Sequence, residues 1–118
     1  MKHFMKLKKE PFEKIWEGSK TIELRLYDEK RRNVFVGDII EFENLSNCSQ
    51  RIIVGVTALH LFDSFEKLYE VLPLEKCGYE NDELDKASAS DMNIYYPLEE
   101  QKSFGVVGIE FELLDKIG

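Results

Sequence analysis

The spacing of apolar residues changes several times along the chain, and each change predicts an element. Residues 1–9 alternate weakly, with Phe4 and Leu7 among lysines, and read as a short strand or an arm. Pro11 suits a first helical turn, and Phe12, Ile15 and Trp16 follow at helical spacing until Gly18 stops the helix. Phe12 and Trp16 are candidate core residues. Residues 21–27 then alternate strictly. Ile22, Leu24 and Leu26 face one way, and Thr21, Glu23, Arg25 and Tyr27 the other, as in a half-buried strand.

A charged turn or short helical connection over 28–33 leads through Val34–Val36 and a Gly37-Asp38 turn into a strand at 39–43. Residues 44–50 read as a polar loop, and 51–62 as one long strand bent or bulged at Gly55. Helical spacing returns at Phe65, Leu68, Tyr69 and Leu72, with Asp63 or Ser64 as cap and Pro73 as stop. Residues 74–90 are acidic and weakly periodic, a broken excursion around Gly78. Short helical segments at 90–96, capped by Ser90 or Asp91, and at 97–101 precede a final strand over 105–113. Strand-rich halves around a helical insertion predict an α+β domain with a curled, mainly antiparallel sheet, of a size suited to a small barrel.

Length sets the scale of this reading. The chain has 118 residues, no repeat and no linker, so residues 1–118 are read as a single domain. No apolar run approaches the roughly 18 residues of a membrane span, so no membrane partner is expected. Cys48 and Cys77 lack any ligand spacing, which points to a reduced, cytoplasmic protein. The net charge of −7 argues against a protein that coats nucleic acid nonspecifically. That charge is unevenly spread. Residues 1–32 carry ten Lys/Arg against six acids, a net of +4, against −11 for the remainder. If they share one face, these cations could hold a phosphate or nucleotide while the rest of the surface repels bulk polyanion.

The stretch Gly18-Ser19-Lys20-Thr21-Ile22-Glu23-Leu24-Arg25 resembles the opening signature of the ASCH domain family, Gly-x-Lys-x-x-Glu-x-Arg after a short helix. Val36-Gly37-Asp38-Ile39-Ile40-Glu41-Phe42 and the ending Tyr96-Pro97…Gly105-Val106-Val107-Gly108-Ile109 extend the resemblance over nearly the whole chain. It implies a PUA-like small mixed or antiparallel β-barrel, with short helices packed around it and a cleft for RNA or a modified base. It also implies a second activity. Some small bacterial members are amidohydrolases that remove the acetyl group from N4-acetylcytidine-type nucleosides, using a Lys-x-x-Thr pair and a later glutamate. Here Lys20 matches the lysine, Glu23 stands in the threonine position, and Glu80 or Glu83 are candidates for the later glutamate.

Two functions therefore compete. The first is a binding module whose cleft takes RNA, a nucleoside or a nucleotide through Lys20, Thr21, Glu23, Arg25 and Tyr27. Glu23 and Arg25, two apart on one strand face, offer an acceptor–donor pair for a base edge, and Lys20 a point charge for phosphate. Tyr27, Tyr79, Tyr95 and Tyr96 are candidates for stacking on a base. The second is a hydrolase of N4-acylated cytidine or RNA, with Lys20 and Glu23 as catalytic acid/base groups and Lys20 deprotonating when desolvated. Glu23 in place of a hydroxyl nucleophile favours binding. A protein-interaction domain, suggested by the acidic later half, ranks third. His3 and His60 are isolated, so no metal site is expected, and no motif calls for a cofactor. As ligand groups, Lys20 and Arg25 should be replaceable by alanine with little loss of melting temperature.

The alternation over 21–27 makes its own prediction. Leu24→Asp buries an unpaired charge at a cost of several kcal/mol and is expected to unfold the domain in a circular dichroism melt. A cooperatively folded Leu24→Asp variant would refute the strand.

Overall fold

The computed structural model describes residues 1–118. Five strands run in the order β1-β3-β4-β5-β2 as one curled sheet, a half-barrel: β1 Lys2–Leu7, β2 Ile22–Leu26, β3 Ile39–Asn44, β4 Asn47–Phe62 and β5 Val106–Ile117. β1 joins β3 in parallel, and every other pairing is antiparallel. Four α-helices accompany the sheet: α1 Lys9–Glu17, α2 Glu29–Arg32, α3 Phe65–Val71 and α4 Leu98–Phe104. The acidic stretch predicted as a broken excursion holds 3-10 turns at Leu74–Cys77, Leu84–Lys86 and Ala89–Ile94. No helix is long and apolar enough to cross a membrane.

Local chemistry accounts for most boundaries. Gly18 adopts φ 90°, and its amide closes α1 onto the Ile15 carbonyl. Asp28 caps α2 through the Arg31 amide, and Ser64 caps α3 through that of Lys67. Ser88, not Ser90 or Asp91, caps the turn at Ala89–Ile94. Gly37 turns at φ 95°, and the Asp38 carboxylate that follows accepts from His3 Nε2 at 2.9 Å and the Phe35 amide at 3.0 Å. Those bonds, the His3 one foremost, hold the Asp38 carboxyl at about 2.

Three stretches differ from the sequence reading. The polar loop at 44–50 shrinks to a tight turn, because Asn44 accepts from the Ser46 amide and donates to Gln50, so β4 starts at Asn47. The final strand runs on to Ile117, since the first half of β4 provides a ladder from Val54↔Leu113 to Arg51↔Ile117. The third difference is β2, which is buried on both faces, not half-buried.

β2 is covered twice because β5 separates two cores. One core lies inside the half-barrel, where α1 contributes Phe12 and Ile15 against Phe42, Ile52, Val107 and Ile109. Trp16 is only half-buried and packs at its margin, 6.0 Å from the Phe12 ring. The other core joins Ile22, Leu24 and Leu26 to Phe65, Leu68 and Leu72 of the α3 segment. Pairing of Glu23 with Ile109 and Arg25 with Val107 turns those two polar residues toward the inner face. The β ladder does not close: β1 and β2 are the two edges of the sheet.

Gly108 sits where the second core meets the sheet. A Cβ there would stand 2.7 Å from Leu72 Cδ1 and 3.2 Å from Ile22 Cγ2. Gly108→Ala is therefore expected to cost about 1–3 kcal/mol, read as a lower urea midpoint. An unchanged midpoint would mean that the α3 segment is not seated as described.

Candidate functional site

Lys20, Glu23 and Arg25 converge at the open edge of the sheet. Lys20 lies two residues before β2, in the link that follows the Gly18 turn, and its side chain is buried. Its Nζ stands 2.8 Å from Glu23 Oε1. Arg25 Nε donates to Glu23 Oε2 at 2.8 Å, and its Nη2 lies 2.8 Å from the same oxygen. Both carboxylate oxygens are thus engaged by cations, and only 4% of Glu23 is exposed. Burial pushes the Glu23 carboxyl upward. The charges and hydrogen bonds of Lys20 and Arg25 outweigh it and hold the group below its ordinary value. For Arg25 the balance is the mirror image: burial pulls it down, Glu23 more than restores it, and the guanidinium stays charged.

This arrangement changes what the cations are for. Removing Lys20 or Arg25 leaves a buried carboxylate with a single counterion, at a cost on the order of 3 kcal/mol. Alanine at either position is therefore expected to lower stability, where the sequence reading expected melting to be spared. Lys20 and Arg25 hold the site together.

The triad lies in the wall of an open cleft of about 880 Å³. Lys6 and Lys8 from the β1 end, and Lys9 and Lys14 from α1, add four more cations, against only Glu10 and Glu83 as further acids. Tyr79, Tyr95 and Tyr96 supply aromatic surface in the same lining. The Tyr96 ring stacks on Phe65 with centroids 5.7 Å apart, and burial raises its hydroxyl above the ordinary value. Tyr79 donates to Asp91 at 2.9 Å, so Tyr69, 2.6 Å away, donates to Tyr79. Burial raises both hydroxyls, that of Tyr69 to about 12, which keeps the pair neutral. Tyr95 is exposed at the rim, with Lys8 Nζ 5.2 Å from its ring centroid.

The other predicted residues fall elsewhere. Thr21 does not line the cleft: its amide donates to the Lys76 carbonyl, and its own carbonyl accepts from the Phe111 amide. Tyr27 packs against the inner core under the Arg32 guanidinium, 4.5 Å from its ring, and also stands outside. Glu83 reaches the rim, 3.9 Å from Lys14, whereas Glu80 does not line the cleft. His60 is paired with Glu110 at 2.8 Å, between β4 and β5 and away from the cleft lining.

Several contributors carry no motif in the sequence. Gly78 turns at φ 110°, and a Cβ there would stand 3.3 Å from Lys20 Cδ, so a bare backbone lets the loop close over the lysine. Lys14 fastens that loop by donating to the Gly78 carbonyl. Cys77 lines the cleft beside them, and burial pushes its thiol to about 11, an unreactive neutral group. Gln101, buried in α4, accepts from the Phe65 amide and donates to Asn93 and to the Tyr96 carbonyl, which fixes the tyrosine wall.

The ASCH domain model matches residues 5–115. The chain belongs to the ASCH domain family. ASCH domains are PUA-like and generally RNA-binding. The fold is similar to the crystal structure of hypothetical protein PH0355, with a TM-score of 0.79 and 36% identity over 97% of this chain and 100% of that one. It is also similar to the solution NMR structure of protein PF0455 from Pyrococcus furiosus, with a TM-score of 0.71 and 36% identity over 98% and 99% of the two chains. The ZmASCH protein from Zymomonas mobilis, solved as a serine-to-alanine mutant, shares the fold at a TM-score of 0.61. It is 14% identical, over 95% of this chain and 66% of its own. No curated protein matches the chain.

The depressed Glu23 carboxyl gives this ASCH domain a defined acid response. Near 4.5 and below, the unfolded carboxyl takes up a proton that the folded one resists. The stabilisation is fully present above that pH and is lost as pH falls through the lower folded value. We expect the stability gap between wild type and Glu23→Gln in urea to be widest at pH 7 and to narrow toward pH 3. A gap that widens on acidification would refute the ion-paired carboxylate.

Proposed function

We propose that this ASCH domain binds RNA or a nucleotide by taking a nucleobase into the cleft beside Glu23. The observation that carries the reading is the convergence of Lys20, Glu23 and Arg25 in a wall flanked by cations and tyrosines. A base needs a face to stack on and an edge to pair with, and its phosphate needs positive charge. Tyr95 and Tyr96 offer the first, Glu23 and Arg25 the second, and Lys8 and Lys9 the third.

The hydrolase reading fares less well on the same geometry. A general base needs a carboxyl poised near the working pH. Both Glu23 oxygens are held by cations, and the group is pushed away from neutral pH. No hydroxyl occupies the position three residues after Lys20. The arrangement suits an acceptor of fixed charge.

The test uses rim residues that do not touch Glu23. With a fluorescein-labelled mixed-sequence RNA octamer, Tyr95→Ala is expected to weaken binding by about 1–3 kcal/mol, one stacked base. Lys8→Gln should lower the slope of log affinity against log salt by about 0.7, one phosphate contact on a single strand. Affinities that ignore both substitutions would place any RNA site elsewhere.

A further inference from the structure

A second groove of about 660 Å³ opens on the other side of Arg25, and the two concavities share Lys6 and Arg25 in their linings. It follows the outer face of β1 and β3, where Phe4 and Lys6 pair in register with Glu41 and Glu43. Its acids are already answered. Glu41 lies 3.0 Å from Lys2 and 3.2 Å from Arg51, and Glu43 is 3.9 Å from Arg51. Lys6 and Lys30 face the groove without any carboxylate in salt-bridge range. Lys30 bonds instead to the Phe4 carbonyl at 3.1 Å, on the open edge of β1.

We propose that this groove holds a phosphate of the nucleotide adjoining the one whose base enters the cleft, so that the ligand is a single-stranded RNA segment, not a free nucleoside. The inference rests on the cleft reading above. Its geometry is the continuity of the two concavities through Lys6 and Arg25, with Lys6 at the junction and Lys30 beyond it both lacking a counter-charge. The electrostatics agree. Partial burial lowers the Lys30 ammonium, and crowding by Arg31 and Arg25 lowers it further, against a weaker opposing pull from Asp28. A cation pressed by other cations is relieved by an incoming anion. A phosphodiester supplies that anion without entering the cleft, where it would compete with Glu23 for Lys20 and Arg25.

The decisive variant is Lys30→Gln, which keeps a donor for the Phe4 carbonyl and lies outside the cleft. It is compared with wild type, Lys8→Gln and Lys30→Arg, using the labelled RNA octamer and competition by the four nucleoside 5′-monophosphates. Loss of one single-strand phosphate contact should weaken the octamer about 5- to 10-fold at 50 mM salt and lower the salt slope by about 0.7. Monophosphate competition should be unchanged, and Lys30→Arg should restore octamer binding. Octamer affinity and slope that survive Lys30→Gln while Lys8→Gln weakens binding would overturn the groove and leave the cleft reading standing. Wild-type protein that binds neither octamer nor monophosphate would overturn both.

Discussion

A buried carboxylate governs the architecture around the cleft. Glu23 sits on an edge strand with its inner face against a hydrophobic core, where a lone negative charge would be prohibitively unstable. Two cations therefore have to reach it, and much of the surrounding backbone is arranged to deliver them. Gly18 ends α1 early enough for the next residues to double back, with Ser19 and Lys20 amides both bonded to the Lys14 carbonyl. Gly78 then closes over the lysine stem. Arg25 comes from the same strand as Glu23, two residues on, and its Nη2 continues to the Lys6 carbonyl at 3.2 Å.

That last bond also explains how the sheet survives with a gap in it. Edge strands leave carbonyls unpaired, and here Arg25 and Lys30 cap those of Lys6 and Phe4 on β1. Cationic side chains bridge the gap where a closed barrel would have a backbone ladder. The opening stays wide enough to be a cleft, and its lips are positively charged. An overall charge of −7, with half of the 16 Lys/Arg lining these two concavities, disfavours adventitious polyanion contact over the remaining surface.

The sequence revealed the elements better than their environments. Helical spacing at Phe12, Ile15 and Trp16, alternation at Ile22, Leu24 and Leu26, and the Gly37-Asp38 turn are local signals, and each element formed where its signal lay. Burial of Glu23 was not legible, because alternation assigns one face to the core and the other to solvent. It cannot foresee that α3 and α1 cover opposite sides of the same sheet. The convergence of Lys20, Glu23 and Arg25 was visible as a signature, but their mutual neutralisation was not. Thr21 and Tyr27 shared the polar parity of Glu23, yet they fall just outside β2, where backbone bonds and the Arg32 contact redirect them. Lys14 and Gln101 left no trace and Gly78 showed only as a break in the helical pattern, since their roles depend on partners 64, 36 and 64 residues away.

The charge balance of the triad constrains which part of a nucleotide belongs beside it. Lys20, Glu23 and Arg25 together carry one net positive charge, and the carboxylate already uses both oxygens. A phosphate placed there would draw the cations from Glu23 and leave that carboxylate poorly compensated, restoring the penalty the ion pairs remove. A neutral base edge imposes no such exchange. Its amino group adds a donor to Glu23 and its ring acceptor accepts a hydrogen bond from a guanidinium or ammonium, so each charge keeps its partner. Phosphates are better met at the rim and seam, where Lys8, Lys9, Lys6 and Lys30 are not needed to neutralise Glu23. Base inside and backbone outside is the division that keeps the buried carboxylate neutralised throughout binding.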